Sequence, residues 1–312
     1  MQHPVIVIAG PTATGKSDIS IDIAKRIDAE IVVADSMQVY RGMDIGTAKV
    51  PLQDREVPHH CIDIADPGEP FSSAMYQEAA RRSFSDIDES GKAALLSGGT
   101  GFYIRSAIDD YRFPKGEQKD NPLREELSDF LEKRGSEALW KMLNEKDPES
   151  AADIHPNNSK RVMRALEMHM NGESYHRQLL NLKDIPQLYE SIFICIDFDR
   201  DALIERIESR VDRMREDGLV REVEGLLDSG LRDALTASSA IGYKEIVSAL
   251  DGDCSIDEAF GQIKTATRRY AKRQRSWFRS DRRYIHVDAT GKTSDQVSDE
   301  VMGIVSRASE DI

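Results

Sequence analysis

VIVIAGPTATGKS, residues 5–17, carries the reading from which the fold follows. Residues 5–9 are uniformly apolar, as in a short strand buried on both faces. Ile19, Ile23 and Ile27 then recur at helical spacing, giving the next segment one apolar stripe. Between strand and helix lies a G-x-x-x-x-G-K-S loop, Gly10, Pro11, Thr12, Ala13, Thr14, Gly15, Lys16 and Ser17. A loop of this kind at a helix N-terminus turns its backbone N–H groups inward, where they hold phosphate oxygens. Lys16 adds a cation at those phosphates, and the Ser17 hydroxyl is the expected Mg²⁺ ligand. The segment therefore predicts a diphosphate- or nucleotide-binding site with Mg²⁺ as cofactor. A chance match in an ordinary glycine turn is the alternative. The strand before it and the amphipathic helix after it argue against that.

Further strands are expected at residues 31–34, 93–96 and 192–196, with helical patterns between them, as at 75–87. Strands alternating with helices imply α/β architecture with a parallel sheet. From about residue 115 to 188 the pattern becomes polar and helical, for example at 123–133 and 160–170, bracketed by Pro114-Lys115-Gly116 and Ile185-Pro186. The expected organisation is a P-loop NTPase-like core from 1–114 and 189–288, a helical insertion at 115–188 and a C-terminal tail at 289–312. Long helices are expected at 201–216 and 257–278.

The chain has 312 residues, 39% hydrophobic and 31% charged, a packed globular composition. No apolar run is long enough to span a bilayer and the start does not read as a signal peptide, so the reading is a cytoplasmic protein with no membrane partner. Cys61, Cys195 and Cys254 are scattered and form no C-x-x-C pair. The net charge of −14 opposes a nucleic-acid partner, but its distribution does not. Between Lys264 and Arg283 there are nine basic residues and one acid. Arg268, Lys272, Arg275 and Arg279 fall on one side of a helix there, a pattern fitted to phosphate-backbone contact or to a solvated charged face.

Ligands of open α/β sheets sit at the carboxyl ends of strands. Asp35 follows the second strand and Thr100 lies in the Ser97-Gly98-Gly99-Thr100-Gly101 turn after the third. Each has a local reading, as a cap or as turn chemistry. Facing a P-loop, both become candidate site residues.

Taken together, GPTATGKS (10–17), DSMQVYRGMDIGTAK (35–49), VPHHCIDIADPGEPFS (57–72), GGTGFYI (98–104), DIHPNNSKRVMRALE (153–167), AIGYKE (240–245) and TRRYAKRQRSWFR (267–279) resemble the tRNA dimethylallyltransferases, or tRNA isopentenyltransferases, in the order of that family. The resemblance covers about residues 5–279. It implies transfer of a dimethylallyl group from its diphosphate to N6 of adenosine 37, beside the tRNA anticodon, giving N6-(dimethylallyl)adenosine and diphosphate. It also implies that the P-loop, ordinarily read as ATP-binding, holds the allylic diphosphate.

The resemblance assigns roles residue by residue. Asp35 matches the residue that binds the N6 amine and accepts its proton, and Thr100 one lining the reaction channel. Arg210 matches a second cation at the departing diphosphate, with Arg206 one turn earlier a weaker candidate. The tRNA-contact segments match Asp35, Ser36, Met37 and Gln38; Thr100; Arg124; Lys160, Arg161, Val162, Met163 and Arg164; and Ala240, Ile241, Gly242, Tyr243, Lys244 and Glu245. Gln is usual in the family where this chain has Lys160. The helical insertion resembles the element that grips the anticodon stem. His59-His60 belongs to a non-metal motif and lacks helical ligand spacing. The implied partners are tRNA, through its anticodon stem-loop, and dimethylallyl diphosphate, acted on by a monomer.

Three rivals share parts of this pattern. A small-molecule P-loop kinase leaves the insertion and basic helix without a purpose. A regulatory tRNA-binding P-loop protein has no need of Asp35. An enzyme prenylating free adenine nucleotides has no use for a stem-gripping insertion.

Overall fold

The computed structural model describes residues 1–113, 121–181 and 185–310. The chain divides into two compact units, one comprising Met1–Ile108 with Leu188–Ile312 and the other Asp109–Gln187. The insertion thus begins earlier than the expected 115; Pro114-Lys115-Gly116 lies outside the described residues.

The larger unit is built on a six-stranded parallel sheet among the described residues, in the order β3-β2-β4-β1-β5-β6. These are β1 (Val5–Ala9), β2 (Ala29–Val33), β3 (His59–His60), β4 (Ala93–Gly98), β5 (Ser191–Asp197) and β6 (Ile285–Asp288). Strand side chains alternate between faces. Val5, Val7 and Ala9 of β1 join one apolar cluster with Phe193 and Cys195. Ile6 and Ile8 join the other with Ile192, Ile194 and Ile196.

On the first face lie α2 (Ser73–Glu89), α3 (Gly101–Ile108), α8 (Arg200–Glu216), α9 (Leu219–Leu227), α10 (Tyr243–Leu250) and α11 (Ile256–Ser280), contributing Phe84, Ile104, Val211, Val223, Ile246 and Phe278 to its cluster. α11 opens on a capping box in which Ser255 and Glu258 satisfy each other's backbone N–H groups. The second face is covered by α1 (Lys16–Arg26) and α12 (Ser294–Glu310). α12 corrects the expectation of a tail after residue 288. Val297, Val301, Ile304 and Val305 are buried against Ile19, Ile23 and Val287. Each such side chain contributes roughly 1.5–3 kcal/mol of transfer free energy. β3 and β6 were not expected. The first is two residues long, and the second exposes Ile285, His286 and Asp288, so neither has an apolar run to announce it.

The smaller unit is helical: α4 (Pro122–Lys146), α5 (Pro148–Ala152), α6 (Ser159–Met170) and α7 (Tyr175–Asn181). Asn121 caps α4 and Pro122 starts it, a position where proline's missing N–H costs nothing. The helix breaks at Gly135, whose φ is 82°. Leu127, Leu139, Leu143, Ile154, Val162 and Leu166 form the core of this unit. Trp140 donates its indole N–H to the Ile154 carbonyl at 2.8 Å. Buried Glu167 lies between two cations, 3.6 Å from Arg124 and 3.3 Å from Arg164.

In the larger unit the core closes where the insertion leaves it: the Leu188 N–H donates to the Ile108 carbonyl at 2.8 Å.

Candidate active site

The P-loop joins β1 to α1. Gly15 stands at the helix N-cap with φ 76°, a left-handed conformation that favours glycine. Gly10 has no room for a side chain, since a Cβ there would lie 2.4 Å from the Ile196 carbonyl oxygen. The Thr14 hydroxyl bonds back to the Pro11 carbonyl at 2.9 Å, and Lys16 Nζ donates to the same carbonyl at 3.0 Å. Lys16 is thereby folded over the loop. Burial pulls its pKa down to about 8, and the positive charge of Arg210 adds to the effect.

Two residues of α8 meet the loop. Arg210 Nη1 donates to Thr12 Oγ1 at 2.7 Å, and Arg206 Nε donates to the Ala13 carbonyl at 2.7 Å while its guanidinium lies over the Phe198 ring. Arg210 Nε is buried with no hydrogen-bond partner among the described residues. A cationic donor without a partner, beside a second cation, is an arrangement that an anion completes.

Asp35 follows β2 and its carboxylate accepts the Met37 N–H at 2.9 Å. Ser36 N–H donates to Thr100 Oγ1 at 3.1 Å, which fastens the loop after β2 to the turn after β4. Tyr270 of α11 lines the same region, and burial and the nearby Asp35 charge push its phenol up to about 12, so it stays neutral.

Two cavities meet at this wall. The larger, about 1460 Å³, is lined by Lys16, Ser17, Arg206, Arg210 and Arg213. The smaller, about 420 Å³, is lined by Met37, Ile241, Lys244, Arg269 and Arg273. Thr12, Asp35, Thr47, Arg210, Met214 and Tyr270 line both. The two cavities therefore adjoin at Thr12, Asp35 and Arg210. A group transferred between ligands in the two cavities would pass Asp35 and Thr12.

Not every expected contact residue lines these cavities. Of 240–245, Ala240, Ile241 and Lys244 line the smaller cavity. Tyr243 is fully buried and donates to Glu222 at 2.6 Å, and Glu245 accepts the Gly242 N–H at 2.8 Å. Their side chains build the α10 start. In the helical unit Lys160 and Arg161 are exposed, whereas Val162 and Met163 are core. Of the four α11 cations expected on one side, Arg268 pairs with Glu208 at 2.9 Å, Arg275 and Arg279 both reach Asp197, at 2.9 and 3.4 Å, and Lys272 is exposed. The cations of α11 at the cavity mouth are Arg269 and Arg273, which have no ion-pair partner among the described residues. The sequence signal that finds them is their i, i+4 spacing beside Tyr270, on the face adjoining the expected one.

Sequence reasoning missed Glu222. Its carboxylate accepts the N–H groups of Asp44, Ile45 and Gly46 at 3.1, 2.7 and 3.3 Å and so fixes the loop that presents Thr47 to both cavities. Among the described residues no cluster of three or more His, Cys, Asp or Glu side chains could hold a metal, and no helix is long and apolar enough to cross a membrane.

Residues 38–281 match the IPP transferase family model and residues 3–56 the isopentenyl transferase model. The tRNA dimethylallyltransferase of Bacillus subtilis is 45% identical over 93% of this chain and 92% of its own. That of Exiguobacterium is 48% identical over 93% and 92%. Among solved structures, the full-length tRNA isopentenylpyrophosphate transferase of Bacillus halodurans superposes with a TM-score of 0.70 at 38% identity, covering 98% of both chains. A eukaryotic dimethylallyltransferase acting on tRNA gives 0.77 at 30% identity, over 92% of this chain and 74% of that one. The phosphate loop, the aspartate facing it and the full-length likeness agree: this chain belongs to the tRNA dimethylallyltransferase family.

Proposed function

We propose that the protein transfers a dimethylallyl group from dimethylallyl diphosphate to N6 of adenosine 37 in tRNA, as a cytoplasmic monomer. The observation that carries the reading is the wall shared by the two cavities, with Lys16 toward the larger and Arg210 and Asp35 open to both. The diphosphate lies in the larger cavity against the loop N–H groups, Lys16 and Arg210. The adenine enters by the smaller one.

An exocyclic adenine amine is a weak nucleophile, because its lone pair is delocalised into the ring. The allylic C1–O bond therefore breaks with the electron pair leaving on diphosphate, while the N6 lone pair forms the new C–N bond. Lys16 and Arg210 are fixed where that negative charge grows, the geometry that lowers such a barrier most. Asp35 takes the N6 proton. Ser17 at the cavity wall fits Mg²⁺ held by one hydroxyl and the ligand's own oxygens, since Mg²⁺ keeps much of its shell from water and phosphate. When bound it would neutralise part of the diphosphate charge.

Lys244, Arg269 and Arg273 at the smaller mouth supply phosphate-contacting charge for tRNA, despite the chain's net −14. The test is incubation with radiolabelled dimethylallyl diphosphate and either unmodified tRNA or AMP. Label in tRNA supports the reading, label in AMP alone makes the enzyme a nucleotide prenyltransferase, and label in neither overturns alkyl transfer.

A further inference from the structure

Gln274 lies on α11 among charged neighbours, yet it is 5% exposed. Its Oε1 accepts the Thr12 backbone N–H at 2.9 Å, and its Nε2 donates to the Gly99 carbonyl at 2.8 Å. The amide orientation is dictated by its partners: Thr12 N–H can only donate and the Gly99 oxygen can only accept. Gln274 therefore joins the loop after β1 to the turn after β4. The next residue of that turn, Thr100, accepts Ser36 N–H from the loop after β2. One side-chain amide thus closes a chain of hydrogen bonds across all three loops that carry the site.

We propose that Gln274 is a positioning residue that sets the separation between the diphosphate loop and the Asp35–Thr100 wall, and hence the alignment of leaving group and acceptor. This rests on the alkyl-transfer reading above. Each ligand meets its own loop, so loosening the tie leaves each binding step nearly intact. Alignment needs both loops at once, and a misplacement of about 1 Å can cost on the order of a hundredfold in rate.

Two substitutions test it. Gln274→Met keeps the volume and removes both hydrogen bonds. Gln274→Glu keeps the acceptor for Thr12 but sets a carboxylate oxygen against the Gly99 carbonyl. Only protonation restores a donor there, and a buried carboxyl titrates above its ordinary value. Under single turnover with saturating dimethylallyl diphosphate and tRNA, Gln274→Met is expected to slow transfer by about ten- to a hundredfold. Separately measured affinities for the two ligands should change less than about threefold, well under one tenfold step. The rate of Gln274→Glu relative to wild type should climb as pH falls from about 8 to about 6, toward the range where a buried carboxyl protonates. A merely structural role would not produce that climb. A folded Gln274→Met with wild-type single-turnover rate overturns the proposal, as does loss confined to binding. Should a melt show that Gln274→Met is unfolded, a flat pH ratio for Gln274→Glu overturns it. Wild-type protein that labels no tRNA would instead refute the alkyl-transfer reading, so the two failures are told apart by that control.

Discussion

The Arg210 guanidinium donates to the Thr12 hydroxyl at 2.7 Å, so a cation from the middle of α8 is fastened to the rim of the phosphate loop. Lys16, folded onto the same loop from the other side, completes a pair of like charges held together by the fold. Such a pair is costly by itself and favourable around an anion. Lys16→Ala should therefore lower kcat/KM by roughly two orders of magnitude or more, the scale of losing a donor to developing charge. Steady-state kinetics checks it, with a thermal melt to show that the fold survives; near-normal turnover would remove Lys16 from the chemistry.

The same pair gives diphosphate binding a pH dependence. Lys16 titrates near 8, below its ordinary 10.5, so it loses its charge as pH rises through about 8. An anion favours the charged form. Affinity for dimethylallyl diphosphate should therefore fall as pH climbs from about 7.5 to about 9, with proton uptake on binding near pH 8, by the linkage between protonation and binding. Between pH 8 and 10.5 the unfolded chain holds this proton more readily than the folded one, so the contribution of Lys16 to stability rises with pH across that window. Calorimetry in buffers of different ionisation heat reads the uptake, and Lys16→Arg should flatten the profile.

Asp35→Asn keeps the shape and can still accept the Met37 N–H, but it cannot take a proton. Single-turnover transfer should fall by about two orders of magnitude or more, within the range of general-base losses. Affinity for tRNA should change little, because other residues carry the RNA. Equal losses in affinity and rate would make Asp35 a positioning residue instead.

The two faces of α11 should separate in mutagenesis. Arg269→Glu with Arg273→Glu should weaken tRNA binding and flatten the slope of log K against log salt by roughly one unit for each phosphate left without its cation. Arg275→Ala would leave Asp197, which is largely buried, with only the longer Arg279 contact, and should show mainly as a lower Tm. Titrations at several salt concentrations compare them. An unchanged slope for the Arg269 and Arg273 variant would place the RNA elsewhere.

Truncation after Ala289 removes α12 and bares the face formed by Ile19, Ile23 and Val287. With four buried aliphatic side chains removed, each worth roughly 1.5–3 kcal/mol, the penalty is comparable to a whole domain stability of about 5–15 kcal/mol. The truncated protein should lack a cooperative melt; one that melts like the full chain would refute the role given to α12.

Signals of short range were legible in the sequence. β1 runs Val5–Ala9 as its apolar residues indicate, and the helix after the loop follows from Ile19, Ile23 and Ile27. α12 was legible in principle, since Val297, Val301, Ile304 and Val305 recur at helical spacing, but polar residues between them hide the stripe. Pairings across the chain were not legible. Nothing local to Gln274 points to Thr12, 262 positions away. Nor does the run of charges on α11 tell an arginine that neutralises Asp197 from one that lines a cavity, because that depends on which acids β5 and α8 bring alongside.

The hydrogen bond between Leu188 and Ile108 has a further consequence. Within the α/β unit it holds together Ile108 and Leu188, the residues that flank the insert. Once the sheet has formed, the two ends of the insert are already pinned, and the entropy of closing so long a loop grows only as the logarithm of its length. Replacing 109–187 by a short glycine-rich link should therefore leave a miniature enzyme body that still folds and still captures the allylic diphosphate. The length of the insert then weighs little on the register of the strands, which the sheet sets by itself.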